Sequence, residues 1–176
     1  MSDEGGNRRI DRIMREGFAE GLAGLDLEEV RRRRDECLAE REYLSLLRRL
    51  VQGRAEILKA EIERRGDGGQ GSLVDRLSTI LAPEASRGPS RGEALRVELP
   101  EEEMLLVRRR LERLVADASI SDPGALDDEA LGRAVELLAK EELEVSESRS
   151  AVIAVLDRLQ DELKRRYKDD VSQVLG

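Results

Sequence analysis

The sequence predicts an all-α protein: a long two-helix coiled coil with short accessory helices and a flexible Gly/Pro-containing linker. Aromatic residues are 2% of its 176 residues and charged residues 40%. Leu, Val, Ile and Ala must therefore supply the burial, which suits long helices packed in pairs better than a thick core. Two separate stretches also keep apolar residues in alternating steps of three and four, the seam of a coiled coil. Helix-starting signals stand in front of both stretches.

In chain order, residues 1–25 carry only a weak amphipathic helix. Its stripe, Ile10, Met14, Phe18 and Leu22, is interrupted by Gly17 and Gly21, so it is expected to order against a partner. The first long helix is expected over 26–65. Asp26 with Glu29 three residues on makes a capping-box variant, and Leu25 with Val30 a hydrophobic staple. Its seam reads Leu27, Val30, Arg34, Cys37, Arg41, Leu44, Arg48, Val51, Ala55, Leu58 and Ile62. Gly66, Gly68, Gly69 and Gly71 stop it, and 66–99, with Pro83 and Pro89, is expected to be a flexible linker containing one short amphipathic stretch, SLVDRLSTILA. Residues 100–118 form an accessory helix that starts at Pro100 and has Met104, Val107, Leu111, Leu114 and Ala118 on one stripe. Asp122, Pro123 and Gly124 force a turn. The second long helix follows over 127–170, with the staple Leu126 and Leu131 and the seam Leu131, Val135, Leu138, Glu142, Val145, Arg149, Val152, Leu156, Leu159 and Leu163. Helices this long, about 60 Å at 1.5 Å per residue, must bury these stripes on each other.

Composition excludes several function classes. The chain contains no histidine and one cysteine, Cys37. Ser-His-Asp and Cys-His catalysis, histidine-containing zinc sites and an internal disulfide are therefore out of reach. Carboxylates are spread over solvated helix faces and not clustered for metal, so a phosphodiesterase fits poorly and no enzyme activity is expected. A net charge of −8 disfavours a general DNA or RNA binder, which needs a basic face. No apolar run reaches the roughly 18 residues a membrane span needs, and MSDEGGNRRI lacks an apolar signal core. A cytoplasmic location is expected.

Two polar layers interrupt each seam. Arg41 and Arg48 on the first helix, and Glu142 and Arg149 on the second, occupy a-type positions where Val, Ile or Leu belongs. A charged side chain on a dry seam costs several kcal/mol unless it is paired or reaches water. Around these layers the chain repeats itself: Ser45, Arg48 and Glu56 recur as Ser146, Arg149 and Asp157 under one shift of 101 residues. The apolar positions 44, 51, 55, 58 and 62 and 145, 152, 156, 159 and 163 superpose under the same shift. Offsets of 0, 4, 7, 11 and 15 residues return to nearly one azimuth. Arg41, Ser45, Arg48, Gln52 and Glu56 thus line one strip, and Glu142, Ser146, Arg149, Ile153 and Asp157 the other. Arginine forks and hydroxyls suit phosphate, and carboxylates accept from guanine's ring N–H and amino group. Such a strip, made twice, suits a guanine nucleotide with several phosphates. For one such arginine the plain alternative is a side chain snorkelling from the seam edge to a nearby acid; the duplication weighs against it.

Other tempting runs read as surface or linker. Arg31–Arg34 and Arg108–Arg110 spray around a helix beside acidic neighbours. GDGGQG has no preceding apolar strand and no following lysine, as a phosphate loop would. Cys37 on the seam reads as a small buried apolar residue.

The segments EREYLSLLRRLVQGRAEILKAEI and EELEVSESRSAVIAVLDRLQDELKRRYKD resemble the RsiG family, actinobacterial anti-sigma factors that need cyclic di-GMP to hold the sporulation sigma factor WhiG. That family carries E-x3-S-x2-R-x3-Q-x3-D on both helices of an antiparallel coiled coil, and the repeats grip a dimer of the dinucleotide. In this chain the first copy matches at Ser45, Arg48 and Gln52, has Glu56 as its acid and departs at Arg41. The second matches at Glu142, Ser146, Arg149 and Asp157 and departs at Ile153. The resemblance implies an antiparallel pair, whose pseudo-two-fold suits a two-fold symmetric ligand. It also implies Ser45, Arg48, Gln52, Glu56, Glu142, Ser146, Arg149 and Asp157 as cyclic di-GMP contacts, no metal, and a WhiG-type sigma factor sequestered from RNA polymerase when the nucleotide is bound. The competing expectation is a ligand-independent coiled-coil adaptor whose polar layers only fix register.

Overall fold

The structure, a computed structural model, describes residues 8–66, 100–117 and 122–175. The expected linker beyond Gly66, including its short amphipathic stretch, and residue 118 lie outside the described residues. Among the described residues there are four helices: α1 (Arg9–Ile13), α2 (Leu27–Gly66), α3 (Glu101–Asp117) and α4 (Asp128–Leu175). Short 3₁₀ turns at Leu22–Gly24 and Pro123–Ala125 lead into α2 and α4. The chain divides into two compact units, one of residues 1–44 and 147–176 and the other of 45–146.

Both long helices start by the same device. The Asp26 carboxylate accepts from the Glu29 backbone N–H at 2.7 Å, and the Asp127 carboxylate from that of Ala130 at 2.7 Å. Each side chain satisfies an orphan donor of the first turn and puts negative charge at the positive end of the helix dipole.

In the unit of residues 1–44 and 147–176, α2 and α4 run antiparallel. Arg31, near the start of α2, donates to the Tyr167 hydroxyl at 2.8 Å, and Arg166 Nη2 donates to the carbonyls of Leu22 at 2.6 Å and Leu25 at 2.8 Å. Val30, Cys37, Leu44, Val152, Leu156, Leu159 and Leu163 are its buried apolar residues on the long helices. Full burial of each Leu or Val contributes about 1.5–3 kcal/mol. The expected stripe from Ile10 to Leu22 does not form one helix. Gly17 and Gly21 sit at φ +88° and +57°, left-handed conformations that glycine adopts without a Cβ penalty. Helix α1 therefore ends at Ile13, which is 1% exposed, while Met14 is 41% exposed. Arg9 pairs with the buried Glu40 at 2.9 Å and fixes α1 on α2.

The unit of residues 45–146 is antiparallel too. Near the end of α2, Arg65 bonds Asp128 at 2.9 Å and, through Nη2, the carbonyls of Pro123 and Gly124, each at 3.2 Å. The core holds Leu47, Val51, Leu58, Val107, Leu131, Leu138 and Val145. Leu47, one turn from the expected seam, is fully buried, whereas Ile62 on the expected seam is 41% exposed. Pro100 precedes α3, and its carbonyl accepts the N–H groups of Glu103 and Met104. Val107 and an Arg110–Glu141 ion pair of 2.8 Å dock α3. No helix among the described residues is long and apolar enough to cross a membrane.

The 101-residue shift extends beyond the polar strips. It superposes the two 3₁₀ turns, the capping aspartates, and the sets Glu61, Arg64, Arg65 and Glu162, Arg165, Arg166. In each set the carboxylate accepts from both arginines at 2.7–2.9 Å.

Candidate functional site

Within the unit of residues 45–146, the strip residues Arg48 and Gln52 of α2 and Glu142 and Ser146 of α4 come together at one atom. Glu142 Oε1 accepts from Arg48 Nε at 2.8 Å, Gln52 Nε2 at 3.0 Å and Ser146 Oγ at 3.3 Å. The helical period accounts for this. Arg48 and Gln52 are one turn apart on α2, Glu142 and Ser146 one turn apart on α4, and each pair therefore faces the same way. The Arg48 hydrogen bond, with its charge and the Ser146 and Gln52 bonds, holds the Glu142 carboxyl below its ordinary value against the opposing effect of burial. Ionised Glu142 compensates the arginine on the seam, the requirement set by its a-type position. The pair is not dry, since the Arg48 and Glu142 side chains are 40% and 31% exposed. Chemically, the cluster is a guanidinium, an amide and a hydroxyl aimed at a single anionic oxygen.

The remaining strip residues are placed differently. Ser45 is half-buried in the same unit. Glu56 is exposed and pairs with Lys59 of its own helix at 3.2 Å, away from the cluster. Arg149, half-buried, and Asp157, exposed, belong to the unit of residues 1–44 and 147–176. In that unit Arg41, standing where the repeat would have an acid, is paired with its neighbour Glu42 at 2.7 Å. Ile153, standing where the repeat would have an amide, is half-buried. The two copies therefore differ in charge as well as in sequence: Glu142 takes three donors, whereas position 41 is itself a donor. Among the described residues, no group of three or more Cys, Asp or Glu side chains could hold a metal ion.

The duplicated Glu-x2-Arg-Arg sets and their turn-capping arginines lie outside the polar strips. The signal is in the chain, because the shift that aligns the strips also aligns these sets, which straddle the last seam positions, Ile62 and Leu163.

No curated protein matches the chain. Residues 16–81 match the profile of the RsiG-like family, a stretch that includes Ser45, Arg48, Gln52 and Glu56 of the first strip. Over that stretch the chain is similar to the RsiG-like family.

Proposed function

We propose that the protein is a cyclic di-GMP-dependent anti-sigma factor that holds a WhiG-type sigma factor away from RNA polymerase, and so blocks transcription of sporulation genes, while nucleotide is bound. The observation that carries this reading is the convergence of Arg48, Gln52 and Ser146, repeat residues from both long helices, on one anionic oxygen. The RsiG-like match over the first strip supports the regulatory class. In this reading Arg48 and Arg149 contact guanine or phosphate, Ser45 and Ser146 contact phosphate, Glu56 and Asp157 contact guanine or orient the arginines, and Gln52 and Glu142 complete the strips. Nucleotide and sigma factor bind one complex, so each strengthens the other by mass action, and a fall in dinucleotide releases the sigma factor.

Capture of the sigma factor on immobilised protein, with and without cyclic di-GMP, tests the switch; equal capture in both lanes excludes it. Calorimetry tests the site: replacing Arg48 and Arg149 together by Ala abolishes dinucleotide binding while the helical circular dichroism signal persists. Unchanged affinity would sink the assignment. The reading as a ligand-independent adaptor draws support from the Arg48–Glu142 pair, which joins α2 to α4 directly. It requires partner capture that ignores the nucleotide.

A further inference from the structure

Helix α3 has two unlike faces. On its packed face Val107 is buried, and Glu103, Arg110, Leu111 and Leu114 are half-buried. The opposite face, at steps of three and four, carries Glu102, Leu105, Leu106, Arg109, Glu112 and Arg113, all of them exposed. Leu105 and Leu106 are 46% and 52% exposed, and Met104 beside them is 38% exposed. Adjacent large apolar side chains left in water, on a helix that already buries another stripe, mark an interaction surface. Charge along the helix is polarised. It opens with Glu101, Glu102 and Glu103 and turns basic at Arg108, Arg109, Arg110 and Arg113. A face acidic at one end, apolar next and basic beyond is complementary to its own reversed copy. We propose that this face of α3 docks a second copy of the chain, the two α3 helices pairing antiparallel about a two-fold axis that passes between Leu105 and Leu106.

The symmetry decides what meets what. With the axis between positions 105 and 106, Leu105 of one copy lies opposite Leu106 of the other, and Glu102 lies opposite Arg109. Each contact is made twice. A parallel pair would instead set Glu102 against Glu102 and Arg109 against Arg109, like charges that oppose association. A partner of one charge sign fits the face less well, because it would be attracted at one end of α3 and repelled at the other. One short helix per copy buries well under the roughly 1,600 Å² of a standard interface, so the dimer belongs to the weak, reversible class. The pairing uses none of the strip residues and is independent of whether the strips bind nucleotide.

The test is sedimentation equilibrium of the full chain over a rising series of concentrations, in which the average mass climbs toward that of a dimer. Glu102→Arg and Arg109→Glu each weaken association about tenfold, since the two-fold doubles every lost pair, and the two changes together restore it. Replacing Leu105 and Leu106 together by Ser leaves a monomer. All four positions are exposed in the single chain, so the helical circular dichroism signal persists in every variant and excludes unfolding as the cause. A mass that stays monomeric at every concentration overturns the pairing. So does association that the single charge reversals leave unchanged or that their combination fails to restore. A monomeric chain that loses capture of the sigma factor when Leu105 and Leu106 are replaced gives the face to that partner instead, and equally overturns the pairing.

Discussion

Arg65 and Arg166 stand 101 residues apart and share two uses: Nε of each donates to a carboxylate one turn back on its own helix, and Nη2 donates to two backbone carbonyls near the turn that opens the other long helix. A planar fork with fixed donor directions can serve both partners at once, which an ammonium cannot. Arg65→Ala and Arg166→Ala should each lower unfolding free energy by about 2 kcal/mol, the range for hydrogen bonds to a charged group. Lysine at either site should recover only part of that in urea denaturation.

The carboxylates that orient these arginines give the protein an acid limit. Hydrogen bonds from Arg64 and Arg65 lower the Glu61 carboxyl from 4.5 to about 2, and those from Arg165 and Arg166 do the same for Glu162. A carboxyl depressed in the folded state contributes stability that is fully present above its unfolded value and lost as pH falls through the folded one. Thermal melts should therefore show Tm declining from about pH 4.5 toward pH 2. Replacing Glu61 and Glu162 together by Gln should lower Tm at pH 7 and flatten that decline.

Cys37 is completely buried, and burial, with the Glu36 and Glu40 charges, pushes its thiol up to about 12. The thiolate is the reactive form. A thiol reagent at pH 8 should modify Cys37 only as fast as the unit opens, with urea accelerating the reaction; rapid modification of the native protein would contradict the packing of this seam.

Position 62 and its counterpart at 163 carry very different loads. Leu163 is 4% exposed and Ile62 is 41%. Leu163→Ala should cost about 3 kcal/mol, as a buried Leu truncation does, and Ile62→Ala no more than about 1 kcal/mol, as at a partly exposed site. Equal costs in denaturant would mean that Ile62 is covered in solution.

Much of this architecture is legible in the chain. Period and capping are local properties, so Asp26 and Asp127 mark where the long helices start, and the three-four alternation marks Val30, Leu44, Val51, Leu138 and Val152 as core. Leu47 escapes because it lies off the strict seam, and its burial is decided by the neighbouring layer. The N-terminal stripe misleads because two positive-φ glycines act on the backbone whatever the side-chain spacing suggests. Within the strips, spacing places Arg48, Gln52, Glu142 and Ser146 on the right faces. It cannot tell that Glu142 will gather the other three, or that Glu56 will turn to Lys59, because those choices depend on which rotamer finds the nearer charge.

The unequal burial of Ile62 and Leu163 also bears on how such a gene drifts. The two matching positions do not meet the same filter: at 62 a polar side chain can reach water, while at 163 only a close steric match fits. Substitutions are therefore tolerated more readily at position 62 than at position 163.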